Sequence, residues 1–408
     1  VDDAEPLLRG VLLRSRADAR QGLGDRPGTI SDLQAATSAF EAAGAISETV
    51  AVTAHLVHQL VYSGRSADAL DAIARAESLV GDAPSPEKAR LLSARGSAYS
   101  LSPDHADEAG ECYEAAVTLA RQFDDPRLLA SVLQMQAIYY HPRLYGELGA
   151  EKAHEAAAMQ RQLKQEWELA QCLWMEKYGL VFAGRFEDST AIDAELNALA
   201  ERQGDNMAPA IIALSTALIE LSRGHLDAST AQFQRANEHF EAAGTPWAVP
   251  YHFVNLLLQG RDSEVRPIVD EFYGDKVAGT AWEGTNIGYW LSCKAWLGDD
   301  DVVAQYRKHR RYLPEPGKIN TAGPLIFLKG AIEALMLAGA KADAAALQPL
   351  IEELVQRDIG RYELPFCLHE CYAAIAATAA EDWGTAESHF EHALRSVDHE
   401  RPHRVDQA

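Results

Sequence analysis

The residues best able to do chemistry in this chain of 408 are scattered acids, histidines and cysteines, and their spacing limits what they can do. Asp299, Asp300 and Asp301 open a segment that ends in the basic run "YRKHRRY", Tyr306 to Tyr312. An aspartate-rich metal motif needs another acid at its fifth position, where Val303 stands. The three aspartates therefore read as a helix start, answering unpaired amides and the helix dipole. The basic run reads as cations at the far end of that helix, with docking of an acidic partner or an anion as the alternative. "CLHEC" sets Cys367 and Cys371 four residues apart on one helix face with no second ligand pair, which suits small packing residues better than a metal. His55 with His58, and His389 with His392, are three apart, whereas metal-binding helices use i, i+4 and an acid. Gly317-Lys318 lacks the rest of a phosphate loop, since Tyr312 and Ile319 occupy the positions that need Gly and Ser or Thr. No nucleophile–base signature is present in the sequence. The expectation is a chain with no catalytic residues, no metal and no cofactor.

The elements that would carry these residues are helical throughout. Ala, Leu, Glu, Gln and Arg fill segments such as "DEAGECYEAAVTLARQF" and "ALQPLIEELVQRD", with apolar residues three and four apart. Gly184, Gly224, Gly260, Gly298 and Gly339 punctuate the chain at intervals of 40, 36, 38 and 41 residues. Each is followed by a short polar turn and a second helix, which is the period of a helical solenoid. A lone pair cannot bury its apolar face, so each pair must stack on its neighbours. Small residues mark the close approaches, with a larger one filling the gap a turn away. The figure is Ala69/Ile73/Ala76 after Gly64, Ala109/Tyr113/Ala116, Ser229/Phe233/Ala236 and Ala386/Phe390/Ala393.

These sets resemble the second half of the tetratricopeptide repeat, and "LSARGSAY", with Gly96 and Tyr99, comes nearest to its first half. The period near forty exceeds the usual 34. The predicted fold is all-α: a right-handed α-solenoid of antiparallel helix pairs, about ten long, degenerate tetratricopeptide-like repeats forming one domain over 1–408. Long repeats of this kind, and the closing "AAIAATAAEDWGTAESHFEHALRSVDHERPHRVDQA", resemble the sensor arms of large bacterial ATPase-coupled regulators. That group includes LuxR-type transcription activators and adenylate cyclases carrying an ATPase module. The resemblance implies a piece of a longer protein that binds an effector or partner and controls a linked signalling module.

Charge and composition bound the partners. A net charge of −23, spread along the chain, repels phosphate backbones and anionic membrane surfaces, so neither nucleic acid nor membrane is an expected partner. Five scattered cysteines suit a reducing compartment, and the cytoplasm is the expected location.

In tetratricopeptide stacks the first helix of each pair lines the concave side, so aromatics on first helices are the candidate ligand-binding residues. Counting back from the punctuating glycines selects Trp174, Tyr178, Trp247 and Tyr251, with Tyr139, Trp282 and Tyr289 beside irregular connections. Rings on successive helices would form a largely apolar groove with polar tips, suited to a protein or peptide partner or a small-molecule effector. Two rival readings remain: a peptide-docking scaffold for complex assembly, and an α/α-toroid enzyme, whose long acidic rim loops the short turns here do not supply.

Overall fold

The computed structural model describes residues 5–22, 25–100, 102–242, 249–271, 282–357 and 368–400. Every regular element among them is helical. The chain divides into two compact units, one of Val1–Tyr139 with Ala158–Lys164, the other of Tyr140–Ala157 with Gln165–Ala408.

In the first unit, α1 (Pro6–Gly22) packs on α2 (Arg26–Ala42), α3 (Ile46–Val61) on α4 (Ser66–Val80), and α5 (Pro86–Ser100) on α6 (Ala106–Ala120). Successive pairs stack, with α3 and α4 both against α5. Helix α7 (Pro126–Tyr140) follows, and then α8 (Gly146–Leu163), whose residues up to Ala157 belong to the second unit. The second unit pairs α9 (Glu166–Phe182) with α10 (Phe186–Ala191) and α11 (Asp193–Gln203), then α12 (Met207–Ser222) with α13 (Leu226–Ala242). It continues through α14 (Val249–Leu258) with α15 (Asp262–Glu271) and α16 (Thr285–Trp296) with α17 (Val302–His309). The last pairs are α18 (Ala322–Leu337) with α19 (Lys341–Ala345) and α20 (Gln348–Arg357), and α21 (His369–Ala379) with α22 (Trp383–Glu400).

The sequence punctuation has a single physical form. Gly184, Gly224, Gly260, Gly298 and Gly339 all have φ between 68° and 76°, the left-handed region that a residue without Cβ enters cheaply. At each, the glycine N–H donates to a carbonyl three residues back and the next N–H to one five back, as in Gly184 to Val181 and Arg185 to Leu180. This closure satisfies carbonyls that the helix end would leave unpaired and turns the chain toward the second helix. The same closure follows α21, where Glu381 takes the left-handed position at φ 60°.

The small–large–small figure lies inside. Ala69, Ile73 and Ala76 are buried, as are Ala109, Tyr113 and Ala116, and Ser229, Phe233 and Ala236. Tyr113 rests against Tyr139 of the following helix, ring centres 5.2 Å apart, and Phe233 stacks on His252 of α14 at 5.6 Å. Ala386 and Ala393 are buried too, but Phe390 between them is 43% exposed.

The three aspartates after α16 play a different part from the expected cap. Asp301 precedes α17 without a side-chain capping bond. Lys294 Nζ instead bridges Asp299 at 2.5 Å and Asp301 at 2.9 Å, and Arg266 reaches Asp299 at 2.9 Å. Burial alone would raise the Asp299 carboxyl, but hydrogen bonds from Arg266 and Lys294 outweigh it and hold it below its ordinary range. The aspartates thus join α15, α16 and α17. In the basic run, Arg307 pairs with Asp343, while Arg311 lies over the Tyr312 ring and donates to its hydroxyl.

Candidate functional site

The connection after α7, "HPRLYGELG", is one of the irregular connections of the sequence, and it organises the candidate site. Pro142 fixes one turn of 3-10 helix, His141–Arg143, and Leu144 ends it in the left-handed region at φ 64°. A leucine held there is strained. It is over-determined by burial, because its side chain enters the apolar core that holds Phe253, Leu256, Tyr289 and Ile319.

The strained turn presents His141 to three rings. Tyr178 lies 4.8 Å away, Trp282 5.3 Å and Phe182 6.5 Å, and Tyr178 meets Phe182 edge-on at 4.6 Å. Burial pushes His141 down to about 4, so the imidazole is neutral at pH 7. Two residues on, Arg143 is fully buried and its Nη1 donates to the Asn320 carbonyl at 3.1 Å. The bond joins positions 177 residues apart, so contacts in the second unit reach well beyond adjacent repeats.

Helix α9 is fixed on three sides by three consecutive residues. Glu176 takes His154 of α8 at 2.7 Å. Lys177, fully buried, bridges Asp193 of α11 at 2.7 Å and donates to the Ser189 carbonyl of α10. Burial lowers the Lys177 ammonium, partly offset by the bond to Asp193. Tyr178 then turns its ring to His141. A ring held this way offers a fixed face at small entropic cost.

The seven aromatics selected from the sequence fall in different settings. Tyr178 and Trp282 come together on His141. Trp174, one turn before Tyr178, is half-buried against the cluster that contains Val181 and Leu214. Trp282 is half-buried and Tyr289 fully buried, the latter edge-on to Phe253 at 6.1 Å. Tyr139 belongs to the first unit, where it is buried and its hydroxyl donates to the Ala106 carbonyl at 3.1 Å. Trp247 lies outside the described residues. Tyr251 lies on α14, and its side chain is outside them as well.

His141, Phe182, Arg143 and Asn320 were not among the residues selected. The available signal was Pro142 with two glycines where a plain turn would serve, which marks the place but not its partners. The histidine pairs separate: His389 bonds Glu352 at 3.0 Å, His392 approaches Glu370 at 3.6 Å, and His55 meets Gln21 at 2.6 Å. Among the described residues no group of three or more His, Cys, Asp or Glu is placed to hold a metal ion, and no helix is long and apolar enough to cross a membrane. Cys371 packs with Leu368 and Ala393, while Cys367 lies outside the described residues.

No protein-family model matches the chain, and no curated protein matches it. Among solved structures it is similar to a Rap protein determined in complex with competence and sporulation factor. That match has a TM-score of 0.53 at 12% identity, covering 95% of this chain and 96% of that one. Yeast Tom70 matches with a TM-score of 0.46 at 12% identity, covering 98% and 93%. The fold is a tetratricopeptide-like α-solenoid. At such identity the likeness speaks for the fold alone.

Proposed function

We propose that this chain is a non-catalytic recognition domain that binds a protein or peptide partner through aromatics on its first helices. The observation that carries this reading is the His141 cluster. A half-buried neutral imidazole and the half-buried Trp282, backed by the buried rings of Tyr178 and Phe182, form a preorganised apolar surface beside the buried Arg143 guanidinium. Such a surface suits an extended peptide carrying a large apolar side chain. Of the seven aromatics selected from the sequence, the proposed contacts are Trp174, Trp247, Tyr251 and Trp282, with the half-buried Trp174 and Trp282 carrying the energy, while Tyr139, Tyr178 and Tyr289 are buried and pack the core. Consistent with the resemblance to ATPase-coupled regulators, we take binding to bias a signalling module linked to this arm, in the cytoplasm.

The test is peptide-display selection on the full chain, followed by titration of selected peptides against Trp174→Ala and Trp282→Ala. The expected loss is about tenfold to a hundredfold in affinity, the range for an aromatic hot spot. Selection that yields no binder, or binders that hold both variants as tightly as the original, would remove this reading.

A further inference from the structure

The exposure of Phe390 breaks the packing rule of the fold. Tyr113 and Phe233, at the same register of their second helices, are buried because each rests on the first helix of the following pair: Tyr113 on Tyr139 of α7, Phe233 on His252 of α14. Junctions of this kind recur, with α4 packed on α5, α11 on α12 and α20 on α21. On α22, Trp383, Phe390 and Leu394 are all exposed. At 100° per residue they fall within one narrow stripe. What this stripe fits, by repetition of the internal rule, is a first helix with an uncovered apolar face.

Helix α1 is such a helix. It is the first member of its pair, and Leu8, Val11 and Leu12 stand exposed on it. The charges also match. In a chain of net charge −23, α1 carries four arginines, Arg9, Arg14, Arg16 and Arg20, against the single Asp18. Arg16 and Arg20 share Asp32 of α2. Among its described side chains, helix α22 carries Glu387 and Glu391 against the single Arg395. An apolar stripe with acidic flanks and an apolar stripe with basic flanks are complementary surfaces.

We propose that α22 of one molecule packs on α1 of a second copy, so that the chains associate head to tail. The contact is heterologous: each molecule offers two different faces, and a joint uses one from each. It reproduces between molecules the second-helix-to-first-helix junction that already stacks the repeats within one.

Sedimentation equilibrium on the full chain tests this, with Leu8→Glu/Leu12→Glu as one variant and Phe390→Glu/Leu394→Glu as the other. The original chain should rise above its monomer mass of 44.5 kDa across roughly 1–500 μM, where modest interfaces dissociate. Either variant alone should stay monomeric. Mixed in equal amounts, the two should give a complex of about twice the monomer mass and no larger, since each supplies the face the other has lost. Raised salt should weaken the joint. If glutamate disturbs either helix by circular dichroism, Leu8→Gln and Phe390→Gln replace them. An original chain that stays monomeric throughout overturns the proposal, as would be seen were these faces made for another protein or another segment. Self-association of the α22 variant overturns it too, because that would be pairing of α1 with α1.

Discussion

Gly288 and Gly330 bring α16 and α18 into backbone contact: a Cβ on Gly288 would stand 2.7 Å from the Ile326 carbonyl oxygen, and one on Gly330 would overlap the Gly288 carbonyl. Alanine normally favours a helix over glycine by about 1 kcal/mol. Here that gain is outweighed, because backbone cannot yield as a flexible side chain can. Gly288→Ala and Gly330→Ala should each lower stability by about 1–3 kcal/mol net in chemical denaturation. Gly384, on the first turn of α22, has nothing within 4 Å of its would-be Cβ, so Gly384→Ala should be neutral or gain up to about 1 kcal/mol.

Much of this fold was legible in the sequence because its signals are local. A glycine forty residues after the last marks a helix end whatever the rest of the chain does, and all five had the left-handed geometry their spacing implied. Alanines one turn from a ring mark a close approach for the same reason. The candidate site was less legible. Trp174 and Tyr178 are selected from helix position and Trp282 from an irregular connection, but His141 and Arg143 depend on residues up to 177 positions away, which no local period encodes. Even Asp299 and Asp301, two of the three aspartates expected to cap a helix, bond Lys294 and Arg266 instead, because cations on adjacent elements outcompete exposed amides.

The helix-end closure supplies a second test. Glu381 occupies the left-handed position that glycine fills elsewhere, and a side chain there costs roughly 1–2 kcal/mol. Glu381→Gly should therefore raise the unfolding free energy by about 1 kcal/mol, and Gly339→Ala should lower it by a similar amount. Paired denaturation curves decide it. Opposite signs are required, since a Cβ at Gly339 would meet nothing within 4 Å and only the backbone conformation is tested there.

The close-approach alanines make a third. Ala69 has no exposed surface and Ala386 almost none. Leucine at either position should cost about 1–3 kcal/mol through overpacking. A loss at Ala69 alone would show that α21 and α22 can part to accommodate the larger side chain.

Acid should destabilise the protein before its carboxylates titrate. Burial holds His141 at about 4, and burial, with His55 and Arg26 adding to it, holds His58 at about 4 as well. Both are far below the ordinary value of about 6.5. Between these limits the unfolded chain takes up protons that the folded chain refuses, so stability is complete above pH 6.5 and falls as pH drops toward 4. Each histidine contributes a slope of at most about 1.4 kcal/mol per pH unit. His141→Gln should flatten the profile in that window, as measured by denaturation at pH 7, 6, 5 and 4.5.

The bond from Arg143 to the Asn320 carbonyl also sets a clock. A chain emerging from the ribosome at about 5–20 residues per second needs roughly 9–35 s to make the 177 residues between them. Through that interval the earlier repeats of the second unit exist as a nascent stack whose guanidinium still lacks its carbonyl partner. Synthesis from one end can build each helix pair as it appears, but it cannot close this contact until the segment leading into α18 has been made.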